Sequence, residues 1–201
     1  MNRIKNLIFD FGKVLVNYDF DLYFSHIISD PEKLAAFSKI MNNPEVVNKM
    51  DLGEMSVDEI IGELQAKHPE FSSEFVIFGQ RYPEIVLGEV DGMRDLLTQL
   101  KQKGYKLYGL SNWCSKVYLT MKQYDQIFGL LDGFVISSDE RLIKPNPAIY
   151  QRLFEKYNLK PEECVFADDK IENIVGSENV GMKAILFKNA KQYEEELMKL
   201  L

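Results

Sequence analysis

The chain has 201 residues, which is the size of one domain or of one core with a modest insertion. Hydrophobic residues make up 46% of it, enough for a packed core, and this excludes a wholly disordered chain. The formal net charge of −7 excludes the broad basic surface that binding to nucleic acid or to an anionic membrane requires.

Strand-forming residues at positions 4–9 open the chain, and a helical unit is predicted to follow them. Residues 17–88 carry mostly helical patterns, and strand signals are scarce among them. We predict helices at residues 23–28, 31–41, 57–67 and 71–78. Because this insertion begins at the carboxyl end of the first strand, we expect it to cover the crevice there as a lid that excludes water.

From residue 90 onward, helix and strand patterns alternate. We predict strands at residues 105–110, 133–137, 163–167 and 183–187, and helices at residues 90–103, 115–124, 147–157, 171–180 and 191–201. This alternation predicts an α/β fold with a doubly wound parallel sheet and right-handed crossovers. We therefore assign residues 1–16 and 89–201 to the core and residues 17–88 to a small helical cap.

Polar side chains stand at or just beyond the carboxyl ends of four predicted strands. They are Asp10, the pair Ser111 and Asn112, Lys144, and the acidic pair Asp168 and Asp169. In an open parallel sheet, ligands bind in the crevice outside these ends. Four segments that lie far apart in the sequence are therefore expected to converge on one site.

This set of side chains suits phosphoryl transfer to a carboxylate. Asp10 can act as a nucleophile and form an aspartyl-phosphate. Mg²⁺ would offset the repulsion between that carboxylate and the phosphate, and Asp10 with the acidic pair offers the oxygen ligands that Mg²⁺ prefers. Ser111 and Asn112 supply hydrogen-bond donors for phosphate oxygens, and Lys144 supplies a positive charge.

Each of these signals also has an ordinary structural explanation. Asp10 alone could be a turn residue, and a Ser-Asn dipeptide after a strand is common turn chemistry. Lys144 could be a solvated loop lysine, and the acidic pair could cap the helix that follows it. We favour a functional site because all four signals fall in order at strand ends.

Four motifs carry a family resemblance. They are Phe9-Asp10-Phe11-Gly12-Lys13-Val14-Leu15, Leu110-Ser111-Asn112, Lys144-Pro145 with Ile149-Tyr150, and Phe166-Ala167-Asp168-Asp169 with Asn173. Together they resemble the haloacid dehalogenase superfamily, mainly its phosphatase branch with a helical cap after the first motif. Within it the chain is similar to bacterial glucose-1-phosphatase-type enzymes and to the N-terminal phosphatase domain of epoxide hydrolases, and residues 52–56 also fit that group.

The resemblance implies a Rossmann-like core with the strand order 5-4-1-2-3, in which the five core strands are numbered along the chain. It also implies Mg²⁺-dependent hydrolysis of small phosphate monoesters, sugar phosphates above all. Asp10 would be the nucleophile, and Lys144 would stabilise charge. Mg²⁺ would be bound by the Asp10 carboxylate, the Gly12 carbonyl and Asp169, with Asp168 acting indirectly or through water.

Gly12 is where the chain departs from most phosphatases of this superfamily, which carry an Asp there as general acid and base. The glucose-1-phosphatase-like group shares the glycine, so an active enzyme is still expected, with its acid unassigned. Asp19, Asp21 and His26 lie just downstream and could reach the site from the cap. For His26, a place on a partly buried helix face is the ordinary alternative.

Two other functions stay open at this point. A 2-haloacid dehalogenase also uses an Asp nucleophile, but it needs no Mg²⁺ and lacks the acidic pair, so Asp168 and Asp169 favour the phosphatase. A catalytically weak binding or regulatory protein could keep the same fold. Gly12 is the feature that supports this second alternative, and the other motif residues oppose it.

We expect a cytoplasmic protein that acts on a small phosphorylated metabolite, with no nucleic-acid, membrane or obligate protein partner. No segment of the sequence reaches the ~18 apolar residues of a membrane span. The first apolar stretch is interrupted by Asp10, unlike a secretory leader. The two cysteines, Cys114 and Cys164, suit small buried positions in a reducing compartment.

Overall fold

The computed structural model describes residues 4–201, and a parallel β-sheet lies at its centre. The strands of this part of the chain are β1 (Asn6–Phe9), β2 (Val16–Tyr18), β3 (Val86–Glu89), β4 (Lys106–Ser111), β5 (Gly133–Ile136), β6 (Cys164–Asp168) and β7 (Lys183–Leu186). The first five helices are α1 (Phe20–Ser25), α2 (Pro31–Met41), α3 (Pro44–Asp51), α4 (Val57–Lys67) and α5 (Ser72–Gln80). The later helices are α6 (Met93–Gln102), α7 (Val117–Gln123), α8 (Asp125–Phe128), α9 (Ser137–Glu140), α10 (Pro147–Tyr157), α11 (Ile171–Asn179) and α12 (Ala190–Leu200).

The five-stranded sheet has the order β5-β4-β1-β6-β7, and all its neighbouring strands are parallel. Its central strand, β1, places Leu7 opposite Leu107 of β4 and opposite Val165 of β6. Parallel neighbours require crossover connections, and the intervening helices provide them. The predicted α/β fold, its doubly wound parallel sheet and the predicted strand order are confirmed.

Alternating side chains of the strands fill a hydrophobic core on each face of the sheet. In β1, Ile8 packs with residues of α10 and α11, whereas Leu7 and Phe9 pack with residues of α6 and α12. Successive side chains of a strand point to opposite faces, so a strand buried on both faces is apolar at nearly every position. This explains the continuous apolar runs of the sequence.

Helices α1, α2 and α5 pack around an aromatic cluster. The ring of Phe37 lies 4.8 Å from that of Phe24 and 5.3 Å from that of Phe75. Helices α1 to α4 begin at side chains that accept hydrogen bonds from free backbone N–H groups, as Asp30 does for α2 and Ser56 for α4. The division of the chain into a cap and a core at residues 17 and 88 stays a prediction.

Strands β2 and β3 form an antiparallel ribbon that the sequence patterns did not indicate. Val16 pairs with Glu89 and Asn17 with Gly88, so the chain enters and leaves the helical region side by side. Strands of three and four residues are too short to show a period, and Gly88 further weakens the strand signal. The ribbon places Tyr18 in the wall of a cavity that Asp10 also lines.

Helix α3 was also missed, and α1 begins earlier than expected. Asp19 caps α1 by accepting a hydrogen bond of 2.9 Å from the backbone N–H of Leu22, so this helix starts at Phe20 rather than at residue 23. Asn43 and Pro44 start α3, which has only eight residues and is too short for its periodicity to identify it in the sequence. Among residues 4–201, no helix has the length and the hydropathy to cross a membrane.

Candidate active site

The carboxyl ends of β1, β4 and β6 bring three of the expected side chains together. Asp10 directly follows β1, Ser111 is the last residue of β4, and Asp168 is the last residue of β6. From β1 the sheet extends to β4 and β5 on one side and to β6 and β7 on the other, so the winding reverses beside β1. Ligand crevices in open α/β sheets lie at such a reversal.

The Asp10 carboxylate is buried, and its Oδ1 atom is held by three groups. The backbone N–H of Phe11 and the hydroxyl of Ser111 each donate a hydrogen bond of 2.7 Å to it, and Nζ of Lys144 lies 3.0 Å away. Burial raises the pKa of Asp10 to about 6, with Lys144 lowering it and Asp168 raising it further. Lys144 therefore offsets the effect of burial on the Asp10 carboxylate only in part.

Lys144 is a buried cation, and it contacts three acceptors. Its Nζ lies 2.6 Å from Oδ2 of Asp168, 2.9 Å from the carbonyl oxygen of Leu110 and 3.0 Å from Oδ1 of Asp10. An ammonium group has three donors, so these acceptors match its capacity. Burial lowers the pKa of Lys144, but the carboxylates of Asp10 and Asp168 outweigh burial and raise it overall. The lysine is thus a fixed positive charge at neutral pH.

Asp168 and Asp169 lie in different surroundings although they are adjacent. Asp168 is fully buried and accepts hydrogen bonds from Lys144, from Nδ2 of Asn173 at 3.0 Å and from the backbone N–H of Lys170 at 2.9 Å. Asp169 is not buried and lines the cavity. Desolvation and the neighbouring Asp168 charge raise the pKa of Asp169. Asp168 therefore supports the other groups, whereas Asp169 faces the space available to a ligand.

The side chain of Asn112 binds the main chain of Lys144. Its Nδ2 donates to the Lys144 carbonyl oxygen at 3.0 Å, and the Lys144 N–H donates to its Oδ1 at 2.8 Å. This pair of hydrogen bonds ties the loop after β4 to the lysine segment and so positions the ammonium group. Asn112 also lines the cavity, and its expected role as a donor to phosphate stays a prediction.

Three carboxylates form a group that fits a divalent cation. Asp10, Asp168 and Asp169 bring carboxylate oxygens within 4.8 Å of one another. The buried ammonium of Lys144 contacts two of them, so one ammonium stands against three carboxylates and negative charge remains in excess. Oxygen ligands and excess negative charge are what Mg²⁺ requires. Gly12, whose carbonyl is the other expected ligand, lines the same cavity.

A cavity of about 200 Å³ opens beside these groups. Its polar lining includes Asp10, Ser111, Lys144 and Asp169. The helical region and the ribbon provide mainly apolar walls, which include Phe20, Met41, Val47, Met50, Phe78, Ile85 and Val86. Pockets for drug-sized ligands measure roughly 300–1,000 Å³. This cavity is smaller, so it suits a small substrate.

The expected donors of a proton from the cap are not among the described residues that line this cavity. Asp19 caps α1, and Asp21 accepts a hydrogen bond of 2.5 Å from the hydroxyl of Ser38. His26 is exposed at the end of α1. The sequence placed these three residues near the site because they follow the first motif, but in the fold Asp19 and Asp21 bind other partners and His26 is exposed.

Two charged residues of the cavity were missed by sequence reasoning. Asp51 is the last residue of α3, and Lys170 follows the acidic pair. Burial raises the pKa of Asp51 to about 7, with Lys170 and Lys144 lowering it and Asp10 raising it. One signal could have pointed to Asp51, because it directly precedes residues 52–56, the cap segment that fits the resemblance.

Residues 4–181 match the haloacid dehalogenase-like hydrolase family. Over 117 residues the chain is 37% identical to the glyceraldehyde 3-phosphate phosphatase of Pyrococcus furiosus. That alignment covers 55% of this chain and 47% of the Pyrococcus protein, so the chain spans about half the length of this relative.

Solved structures share the fold over nearly the whole chain. A HAD-like family hydrolase from Porphyromonas gingivalis has a TM-score of 0.77 at 21% identity, with 99% of this chain and 98% of that chain covered. A HAD family enzyme from Bacteroides thetaiotaomicron, in complex with magnesium and inorganic phosphate, has a TM-score of 0.70 at 20% identity. This structural match covers 93% of this chain and 96% of the Bacteroides chain. At these identities the likeness concerns the fold.

Proposed function

The chain belongs to the haloacid dehalogenase-like hydrolase family, and we propose that it is a Mg²⁺-dependent phosphatase of small phosphate monoesters. One observation carries the proposal: Ser111 and Lys144 fix Oδ1 of Asp10 beside a cavity that Asp169 also lines. The phosphatase name of the Pyrococcus relative and the magnesium and phosphate in the Bacteroides structure support it.

Asp10 is the proposed nucleophile. Its carboxylate attacks phosphorus, the bond from phosphorus to the leaving oxygen breaks, and the resulting aspartyl-phosphate is hydrolysed by water. The hydrogen bonds from Phe11 and Ser111 orient the carboxylate before substrate arrives, which lowers the entropic part of the barrier. Because these bonds and the Lys144 contact all use Oδ1, we assign the attack to Oδ2.

Lys144 supplies positive charge to the transferring phosphoryl group. Phosphoryl transfer depends chiefly on positioning and charge stabilisation, and a preorganised cation needs no rearrangement during the reaction. Asp168 and the amide of Asn112 hold the lysine in place from its two ends, the ammonium and the main chain. The electrostatic effect is strong because the lysine is buried.

Asp10, the carbonyl of Gly12 and Asp169 would hold Mg²⁺, and Asp168 would support them through its contacts with Lys144 and the protein backbone. When bound, the ion supplies charge that offsets the repulsion between a carboxylate nucleophile and a phosphate dianion. The cluster without an ion carries excess negative charge, so a cation is also expected to stabilise the fold.

Sugar phosphates are the first proposed substrate class. The Pyrococcus relative is named for glyceraldehyde 3-phosphate, and Asp51, Tyr82 and Asn42 offer polar atoms in the walls for hydroxyl groups. The mainly apolar walls favour a second class, phosphate esters of small apolar alcohols. Matched esters, such as glucose 1-phosphate and cyclohexyl phosphate, separate the two classes by their kcat/KM values.

Phosphate release from a panel of esters tests the proposal. The wild-type protein and Asp95→Asn, a control at an exposed position of α6, should hydrolyse p-nitrophenyl phosphate with Mg²⁺ and lose this activity in EDTA. Asp10→Asn should show no turnover, because an amide is neither a usable nucleophile nor a good ligand of a hard cation. Acid quenching followed by peptide mapping should find the phosphoryl group on Asp10 of the wild type.

The alternative functions give different results in the same panel. Chloride release from 2-chloropropionate that persists in EDTA would establish a dehalogenase and contradict the phosphatase. A protein that binds phosphate esters but turns none over, with wild type and Asp10→Asn alike, would be a binding protein. If the protein is a phosphatase, wild type releases phosphate from its substrate esters and Asp10→Asn does not.

A further inference from the structure

We propose that Asp51 is the proton donor to the leaving-group oxygen, a role for which Gly12 offers no side chain. The inference rests on the proposed phosphatase function. Of the described residues that line the cavity, three are carboxylates: Asp10, Asp51 and Asp169. Asp10 and Asp169 are taken by the nucleophile and the metal ligand, and Asp51 comes from the helical region that covers the strand ends.

Position 12 has no room for a carboxylate in this structure. A Cβ atom there would lie 2.7 Å from Cε1 of the Tyr18 ring and 3.7 Å from Cζ3 of Trp113. The two rings pack against each other with their centroids 5.8 Å apart, which holds Tyr18 over the glycine. The proton for the leaving group must therefore come from another wall of the cavity.

Two contacts hold the Asp51 segment against the sheet-containing part of the protein. The Ser137 hydroxyl accepts a hydrogen bond of 3.0 Å from the Trp113 N–H and donates one of 2.5 Å to the Asp51 carbonyl oxygen. Gly53, with a φ of +60°, approaches α9 so closely that a Cβ atom would lie 2.2 Å from the Ser138 carbonyl oxygen. These contacts fix the main chain at Asp51, a residue that lines the same cavity as Asp10 and Asp169.

The Asp51 carboxylate has the electrostatic surroundings of a group that exchanges protons. The charged and titratable groups that interact with it are Asp10, Lys144, Lys170, Tyr18, Tyr82 and Cys114. Burial raises the pKa of Asp51 to about 7, with Lys170 and Lys144 lowering it and Asp10 raising it. General acids work best when their pKa lies near the operating pH.

The other proton-bearing side chains of the cavity suit this role less well. Burial raises the pKa of Tyr18 to about 12 and that of Cys114 to about 11. Burial likewise raises the pKa of Tyr82 well above its ordinary value. Groups whose pKa lies so far above neutrality are weaker acids than a group with a pKa near 7, and at neutral pH they are not ionised and cannot accept a proton from water. Of these four side chains, Asp51 is the one suited both to give a proton and to take it back near neutral pH.

In the first step, an Asp10 oxygen forms a bond to phosphorus while the bond from phosphorus to the ester oxygen breaks. The carboxyl proton of Asp51 passes to that ester oxygen, so the alcohol leaves neutral. In the second step, the Asp51 carboxylate takes a proton from a water molecule whose oxygen attacks phosphorus. The bond to Asp10 breaks, inorganic phosphate leaves, and Asp51 is protonated again.

Single-turnover kinetics with a series of leaving groups tests the inference, with Asp51→Asn as the variant and Glu54→Gln as the control. Glu54 is exposed on the same segment. For alkyl phosphates, whose leaving oxygen needs a proton, Asp51→Asn should form the aspartyl-phosphate about 10²–10⁴-fold more slowly than wild type. For p-nitrophenyl phosphate the same step should change by less than about tenfold. Glu54→Gln should match wild type throughout.

The second step gives another kinetic result. Because Asp51→Asn also lacks the base for water attack, p-nitrophenol should appear in a burst followed by a slow steady rate. An equal loss of rate with every leaving group would assign Asp51 a structural role and overturn the inference. Unchanged rates would overturn it as well. No turnover of any ester by the wild type would overturn the proposed phosphatase function, and this inference with it.

The pH dependence of thermal stability provides a measurement that is independent of turnover. The pKa of Asp51 is about 7 in the folded protein against 3.8 for the unfolded reference, so the folded state binds the proton more tightly. The stability that Asp51 contributes is present below pH 3.8 and is lost as the pH rises through about 7. In EDTA, the Tm of Asp51→Asn should therefore fall less than that of wild type over this window. Parallel curves would contradict the proposed protonation of Asp51.

Discussion

Nζ of Lys144 lies 2.6 Å from Oδ2 of Asp168, and both side chains are buried. A buried ion pair stabilises a protein little unless its remaining donors and acceptors are satisfied. Here the Leu110 carbonyl and Asp10 accept the remaining donors of the Lys144 ammonium, and Asn173 donates to both carboxylate oxygens of Asp168. The ion pair is therefore held rigidly, and through Lys144 it holds the Asp10 carboxylate in place.

Lys144→Met leaves two buried carboxylates without their cation. We expect the free energy of unfolding at neutral pH to fall by about 3–5 kcal/mol, because removing one partner of a buried ion pair leaves the other charge buried and uncompensated. Turnover should fall by at least about 10²–10³-fold, since a preorganised charge is lost. Urea denaturation and steady-state kinetics measure the two effects.

Lys116→Met is the matched control for this substitution. Lys116 also forms an ion pair, 2.9 Å from Asp58, but Asp58 is exposed. Such pairs contribute at most about 1 kcal/mol. The Lys144→Met loss should also shrink on acidification, because the Asp10 carboxylate, whose pKa burial already raises, then takes up a proton. Equal losses in the two variants would contradict the buried network.

Asp169→Asn should have opposite effects on stability with and without metal. Desolvation and the Asp168 charge raise the pKa of Asp169, so its ionised form destabilises the metal-free protein. In EDTA we expect a higher Tm for Asp169→Asn than for wild type. Addition of Mg²⁺ should raise the Tm of wild type and of Asp95→Asn but not that of Asp169→Asn. A normal Mg²⁺ response in Asp169→Asn would remove this residue from the ligand set.

The side chains at positions 12 and 18 should be energetically coupled. Gly12→Ala places a methyl group against the Tyr18 ring, which has to shift away from Trp113. We expect this change to destabilise the wild-type background more than the Tyr18→Ala background, with a coupling of about 0.5–3 kcal/mol. A double-mutant cycle by urea denaturation measures it. Strict additivity would show that the ring moves freely and that position 12 can hold a side chain.

The strand ends could be predicted from the sequence because they depend on local order. Each buried strand is an apolar run that stops at a polar residue, as β1 does at Asp10 and β4 does at Ser111. The parallel topology then brings these ends to one edge without any knowledge of side-chain contacts. The order of the five strands came from the family resemblance rather than from the periodicity.

The contribution of the helical region could not be predicted in the same way. Asp51 reaches the cavity through tertiary contacts, namely its carbonyl with Ser137 and the close approach of Gly53 to α9. Neither contact leaves a periodic pattern in the sequence. The nearer acids, Asp19 and Asp21, were the natural candidates by position, but hydrogen bonding within the helical region engages them elsewhere.

A carboxylate restored at position 12 should replace the proton donor that Asp51→Asn lacks. Gly12→Asp alone meets the Tyr18 ring, so the rescue is expected only when Tyr18→Ala makes room for the new side chain. In the Asp51→Asn background, the pair Gly12→Asp and Tyr18→Ala should recover about 10-fold or more of the lost rate with alkyl phosphates. The pair Gly12→Asn and Tyr18→Ala has the same shape but carries no proton to donate, and it should recover nothing. Equal rates for these two triple variants would show that space, rather than the carboxyl group, limits the reaction.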